Sequence, residues 1–277
     1  MVINANIKLC LVIGDPVAQS LSPAMHNAAY KAMGIESQYS FEAVQVPISG
    51  LKNFIEKAKT AVHFMAVTIP HKETIISFLD ELDETAKAIG AVNTVLNKNG
   101  KLIGYNTDCF GAIESLKRQT TLQGRNVAIL GSGGSARAIV YGLVNEKSKV
   151  VIYGRNTDKA QEIAKTFGCE YAAWKKRNDA ATADIIINTT PIGKDGKELP
   201  IEENVIRKGQ VVFDVNYGLN NTPLLNAAKS KNAVTVNGLD MLLNQGIMQF
   251  ELYTGLKAPE EAMCKALQNK PDYAGTI

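Results

Sequence analysis

A turn at residues 131–136 constrains this chain more than any other stretch. A short apolar segment, 127–130, runs into Gly131-Ser132-Gly133-Gly134-Ser135-Ala136, and a helical pattern continues to about residue 144. A strand that passes through a glycine-rich turn straight into a helix opens a βαβ unit. In that context the first glycine allows the tight turn and the second lets backbone approach a pyrophosphate. A small third residue, here Ala136, lets helix pack on strand. Phosphate oxygens would sit at the helix start, where unpaired N–H groups and the dipole favour anions. Gly131, Ser132, Gly133, Gly134, Ser135 and Ala136 are therefore candidate cofactor contacts. A glycine turn used only for packing gives the same local pattern; the strand before it and the helix after it favour the dinucleotide reading.

The rest of the chain alternates strand and helix in the same way. Before the turn, strands are predicted at 9–14, 39–44 and 63–69, and helices at 22–33, 51–59 and 74–82. Segments 91–96 and 101–105 flank Asn97-Lys98-Asn99-Gly100, a hairpin signal, and a helix follows at 107–118. Ser22 reads as an N-cap with Pro23 at N1. After the turn, strands are predicted at 149–153, 184–188, 211–215 and 233–236, and helices at 158–167, 223–230, 241–254 and 259–268. This alternation argues for α/β layers with largely parallel sheets. The chain has 277 residues, long enough for two domains. The pattern restarts after about residue 107, so the expected division is 1–107 with 241–277, and 108–240.

Composition excludes several classes. At 45% hydrophobic and 21% charged residues, this is an ordinary globular chain. No apolar run approaches the roughly 20 residues that span a bilayer. The start, MVINANIKLCLVIGD, lacks a basic n-region and a cleavage site, so no signal peptide is expected. Cys10, Cys109, Cys169 and Cys264 show no paired spacing, which suits a cytoplasmic location. The net charge of +3 fits an anionic small ligand, and no basic stripe points to nucleic acid. His26, His63 and His71 have no metal-ligand spacing, so no metal is expected.

The strand at 149–153 bears on which dinucleotide binds. An NAD site usually places Asp or Glu at this strand's end to hold the ribose 2′-OH. Here the strand ends in Gly154-Arg155-Asn156-Thr157, and a guanidinium suits a 2′-phosphate. That points to NADP. In the alternative, Arg155 is solvated and Asp158 reaches the ribose, although an acid in a first helical turn is expected for dipole reasons alone.

Polar residues of the first half gather where strands end. Ser20 and Ser22 follow the first strand, Thr68 and Lys72 the third. Asn93 and Thr94 lie in GAVNTV; Asn106, Thr107 and Asp108 follow the hairpin. Ligands of open α/β sheets sit outside the carboxyl ends of strands. Hydroxyls, amides, one ammonium and one carboxylate suit a small polyhydroxylated acid. Each residue alone also has a plain structural reading: Ser22 and Asp108 as helix caps, Asn93 as a turn residue, Lys72 as a surface lysine.

Together these stretches resemble the shikimate dehydrogenase family along nearly the whole chain. SLSPAMHN, VTIPHKE, GAVNTV and GYNTDCFGA carry the resemblance in the first half. GSGGSARA, GRNTDKA, NTTPIG, DVNYGLNNTPLL and NGLDMLLNQG carry it in the second. The resemblance implies an α/β enzyme of two domains. One would be a substrate domain with a mixed sheet, the other a Rossmann-type domain, with the C-terminal helices returning to the first. It would interconvert 3-dehydroshikimate and shikimate with NADPH and NADP, as a monomer or homodimer, with no membrane or nucleic-acid partner. By the same resemblance Ser20 and Ser22 hydrogen-bond the substrate carboxylate, and Lys72 and Asp108 form the catalytic pair. Thr68, Asn93 and Gln245 hold ring hydroxyls or the carboxylate side, and Tyr217 lies near the substrate. Gly131, Ser132, Gly133, Gly134, Ser135, Ala136, Gly154, Arg155, Asn156, Thr157 and Gly238 would hold the cofactor.

Two positions depart from the family pattern. The family usually has Asn before V-T-x-P-x-K, and this chain has Ala66. The family's N-R-T reads Gly154-Arg155-Asn156 here. The competing readings are a quinate or quinate/shikimate dehydrogenase using NAD, and a non-catalytic ligand sensor. Retention of both Lys72 and Asp108 favours the enzyme.

Overall fold

The fold is built on two six-stranded sheets, seen in a computed structural model that describes residues 7–217 and 221–268. The chain divides into two compact units. One ends at Thr107 and resumes at Gln245; the other takes Asp108–Asn244.

In the first unit, β1 (Lys8–Gly14), β2 (Tyr39–Gln45) and β3 (Phe64–Val67) run parallel. Next to β3 lies the antiparallel hairpin of β5 (Thr94–Lys98) and β6 (Lys101–Tyr105), and the short β4 (Glu81–Leu82) closes the edge. The order is β2-β1-β3-β5-β6-β4, a mixed sheet. Lys98 pairs with Lys101, and Asn99 and Gly100 have φ of 56° and 90°. The turn is thus the two-residue kind whose twist matches that of the strands. Helices α1 (Ser22–Met33), α2 (Leu51–Ala61), α3 (His71–Thr74) and α4 (Glu84–Ile89) fill the connections.

Successive strand residues face opposite sides of this sheet. Leu11, Ile13, Met65, Val67 and Val95 pack in one apolar cluster with Leu51 and Ile55 of α2. Cys10, Val12, Phe64, Ala66 and Thr94 alternate with them and face the other way.

In the second unit, β7 (Asn126–Leu130), β8 (Lys149–Gly154), β9 (Glu170–Ala173), β10 (Ile185–Asn188), β11 (Val211–Asp214) and β12 (Val234–Asn237) are all parallel. Their order is β12-β11-β10-β7-β8-β9. Renumbered within the unit this reads 6-5-4-1-2-3, the doubly wound dinucleotide-binding order. Every residue of β10 and β11 is buried, which explains their apolar character up to the terminal Asn188 and Asp214. The helices are α5 (Asp108–Lys117), α6 (Gly134–Asn145), α7 (Thr157–Phe167) and α8 (Pro223–Ser230). α9 (Gly238–Thr254) begins in this unit, and from Gln245 onward it belongs to the first; α10 (Glu260–Gln268) packs on α1.

Several local expectations are corrected. Ser22 does not cap α1. Leu21 is the N-cap and its carbonyl accepts from Met25 N, while Ser20 Oγ accepts from Ser22 N at 3.3 Å. The turn-forming hydroxyl is therefore that of Ser20. The single helix expected at 74–82 breaks into the end of α3, a 3-10 turn at Ile75–Phe78, and β4. Asp80 Oδ2 accepts from Leu102 N at 2.7 Å and draws the chain onto the edge of β6. β5 begins and ends later than expected: Ala91 and Val92 are buried outside the ladder, and pairing continues to Lys98. α9 begins at Gly238, not Met241, because Asn237 Oδ1 accepts from Leu239 N at 2.9 Å. β9 and the 3-10 segment Trp174–Thr182 have no counterpart among the predicted elements.

Candidate active site

In the parallel sheet the chain leaves β7 toward β8 and returns on the other side at β10. Where the order reverses, the carboxyl ends diverge and leave a crevice. Gly131 sits at that point. Its φ is +120°, its N–H donates to Tyr153 O at 2.9 Å, and a Cβ would run into Thr189 Oγ1 just past β10. Gly133 has open space where a Cβ would be. It precedes α6 in extended conformation, with no side-chain cap and no acid in the helix's first turn. Ala136 is fully buried, and Ser132, Gly134 and Ser135 lie around the helix start. A Cβ on Gly154 would press on Ala160 and Ser132 Oγ. This bare, open, uncapped helix start is a cradle that fits a dinucleotide pyrophosphate.

Arg155 is exposed immediately past β8. Asn156 caps α7, its Oδ1 accepting from Lys159 N at 3.0 Å, and Thr157 opens that helix. Tyr217 is half-buried beyond β11; residues 218–220, within the matched stretch DVNYGLNNTPLL, lie outside the described residues. Gly238 opens α9, where a Cβ would strike Val215 O and Asn216 O. Close backbone approach thus accounts for that glycine.

At the end of β11 a buried carboxylate ties loops together. Asp214 Oδ1 accepts from Asn188 Nδ2 at 3.0 Å and from Asn216 N at 3.1 Å, and Oδ2 accepts from Thr222 Oγ1 at 2.7 Å. Burial outweighs these bonds and raises its pKa to about 6.

In the first unit the polar residues gather at one end of the mixed sheet, because β3, β5 and β6 align Ala66 with Thr94 and Thr94 with Tyr105. Asn93 is the hub, 3% exposed. Its Nδ2 donates to Thr107 Oγ1 at 2.9 Å and to Gln245 Oε1 at 3.3 Å. Its Oδ1 accepts from Thr94 Oγ1 and from Thr107 N, both at 2.8 Å. Val67 N donates to Asn93 O at 2.7 Å, and Val92 N donates to Lys72 O at 2.7 Å. Lys72, half-buried in α3, is therefore fixed to the segment that carries Asn93. Thr68 is held by N–H donation to Ile13 O, and Asp15 N donates to Ile69 O, each at 2.9 Å. These bonds join the loop that leads to Ser20 and Ser22 to the loop that leads to Lys72. Ser22 is buried and Ser20 half-buried. Asp108, 5% exposed, opens α5 directly after Thr107.

Sequence reasoning missed the second half of this network. Gln249, one turn after Gln245, donates from Nε2 to Thr94 Oγ1 at 2.8 Å. His26, one turn after Ser22, shares its Nδ1 with Tyr253 Oη at 2.9 Å, and Tyr253 Oη meets Tyr30 Oη at 2.7 Å. The available signal was a polar residue four positions from a candidate on an otherwise buried helix face. Burial pulls the His26 imidazole down to about 3, partly offset by the adjoining Gln249 amide. Among the described residues no group of three or more His, Cys, Asp or Glu could hold a metal, and no helix is long and apolar enough to cross a membrane.

A doubly wound sheet with an open phosphate turn, and a mixed-sheet unit bearing a buried amide–hydroxyl hub, define a dinucleotide-dependent dehydrogenase of two α/β units. Similarity to known proteins agrees and goes further. The shikimate dehydrogenase substrate binding domain family matches residues 12–95, and the shikimate 5'-dehydrogenase C-terminal domain family matches 238–268. The family described as NADP oxidoreductase coenzyme F420-dependent matches 126–218. A shikimate dehydrogenase (NADP(+)) of Methanosphaera stadtmanae is 41% identical, over 92% of this chain and 94% of its own. A solved shikimate dehydrogenase in complex with NADP+ superposes with a TM-score of 0.88 at 38% identity, covering 95% of both chains. The Thermus thermophilus enzyme, solved with NADP(H) and shikimate, gives 0.85 at 34%, covering 94% of this chain and 98% of that one. This chain belongs to the shikimate dehydrogenase family.

Proposed function

We infer that this chain is an NADP-dependent oxidoreductase acting on a CH–OH group, which reversibly reduces 3-dehydroshikimate to shikimate in aromatic amino-acid biosynthesis. The observation that carries this reading is family membership over more than nine-tenths of the chain. It is supported by a buried hub, centred on Asn93, of the chemistry a polyhydroxylated ring acid requires. The unit ending at Thr107 is the substrate domain and the parallel-sheet unit the NADP domain. The enzyme is cytoplasmic and acts as a monomer or homodimer.

Gly131, Gly133, Gly134 and the start of α6 hold the pyrophosphate, and Arg155 the 2′-phosphate. Bound NADPH supplies the hydride for the substrate carbonyl carbon. The protein's task is to bind the acid, orient the ring and deliver a proton to the carbonyl oxygen. The Ser20 and Ser22 hydroxyls take the carboxylate. Because Ser22 does not cap α1, its hydroxyl is not spent on the helix. Asn93, Thr68 and Gln245 present amide and hydroxyl groups to the ring, and the Asn93–Gln245 hydrogen bond sets the geometry of the two amides. Lys72 donates the proton: an ammonium both polarises a ketone and protonates the alkoxide that forms. Asp108 accepts from a neighbouring ring hydroxyl and so fixes which carbon is presented.

The test is direct. Purified protein with 3-dehydroshikimate oxidises NADPH, and NADH substitutes poorly. Absence of substrate-dependent NADPH oxidation refutes the assignment.

A further inference from the structure

We infer that Gln249 is a positioning residue for the substrate site, supplying from α9 an amide beside Thr94, next to position 66, where the family resemblance leads one to expect Asn and this chain has Ala66. The inference rests on the reaction proposed above. Ala66 stands directly opposite Thr94 in the antiparallel register of β3 and β5. Side chains paired in this way share a face and lie about 5 Å apart. An amide at position 66 would thus project beside the Thr94 hydroxyl. In this chain that place is filled from the helix: Gln249, 1% exposed, donates Nε2 to Thr94 Oγ1 at 2.8 Å and to Asn93 O at 3.4 Å.

The consequence passes to the hub. With its lone pair engaged by Gln249, the Thr94 hydroxyl turns its proton to Asn93 Oδ1 at 2.8 Å. That leaves the Asn93 amide group to donate to Thr107 Oγ1 and Gln245 Oε1. The Asn93 flip state, set by donation from Thr107 N to Oδ1 at 2.8 Å, is reinforced through Thr94 by a residue that sits a full helical turn behind Gln245. At its other end the Gln249 side chain adjoins the buried His26 imidazole of α1. The amide nitrogen is the end that meets the hub.

The test is a double-mutant cycle on the intact chain, using Gln249→Met, which keeps the volume, Ala66→Asn, and both together. With shikimate and NADP, Gln249→Met raises KM for shikimate about ten-fold and leaves kcat within about two-fold. Adding Ala66→Asn brings KM back to within about three-fold of the parent. A residue that only fills space would lower melting temperature and active fraction without moving KM. An unchanged KM in Gln249→Met, or no recovery in the double variant, overturns the inference. Should Gln249→Met not fold, Gln249→Glu removes the donor at constant shape and carries the same expectation. Unfolding free energies of the four proteins need no turnover, so they separate this inference from failure of the reaction itself. Non-additive values, with the double variant more stable than the sum of singles implies, support the substitution of one amide for the other; additive values overturn it.

Discussion

Lys72 and Asn93 illustrate how backbone ties place single residues. The lysine is half-buried, but its carbonyl is bonded to Val92 N at 2.7 Å, so it moves with the segment that carries Asn93. Lys72→Ala is expected to lower kcat by a factor of about 10²–10⁴ while KM for shikimate changes far less, since general-acid assistance is lost from the transition state. Steady-state kinetics in both directions checks this; a raised KM at unchanged kcat would make the lysine a binding group only. Lys72, Asn93 and Gln245 were all legible in the sequence by type and resemblance. Gln249 was not, because its partner Thr94 is 155 residues away and nothing in a helix's own periodicity announces such a bond.

Among elements, the β7–α6 turn was the most legible and β9 the least. Val127, Ile129 and Leu130 are at most 1% exposed, and burial on both faces writes an apolar run into the sequence. β9 reads Glu-Tyr-Ala-Ala and lies at the sheet edge, with exposed residues and no apolar signal. The stretch after Lys72 misled for a different reason. Its helical pattern is overruled by pairing of Glu81 and Leu82 with Ile103 and Gly104, a tertiary event. The phosphate turn itself makes a sharp prediction. Gly131→Ala places a side chain at φ +120° against Thr189. It is expected to cost about 1–3 kcal/mol of stability and to weaken NADPH binding at least about ten-fold. Thermal melts and NADPH fluorescence titration report the two effects separately. Loss of stability alone would mean that the turn packs without binding.

At the scale of the molecule, stability carries a pH signature from one buried carboxyl. Asp214 is raised from the ordinary carboxylate value of 3.8 to about 6, chiefly by burial. The folded chain therefore keeps a proton that the unfolded chain gives up. The stabilisation is complete below about pH 4 and lost as pH rises through about 6, a change of about 3 kcal/mol. Asp214→Asn cannot titrate there. Its unfolding free energy is expected to shift relative to the parent, in the variant's favour, by about that amount between about pH 4 and pH 7 in urea melts. A constant difference across that range would show that the carboxyl titrates normally.

The sequence by itself determined the alternation of strand and helix, the glycine turn between β7 and α6 and the residue types of the polar set. These are written in local periodicity and in residue types that few other roles require. Only the tertiary structure decided which hydroxyl makes the turn before α1, where the edge strands pair and which residues orient Asn93. Those choices depend on hydrogen-bond partners that no local pattern pairs, many of them far apart in the chain, and burial makes each bond obligatory.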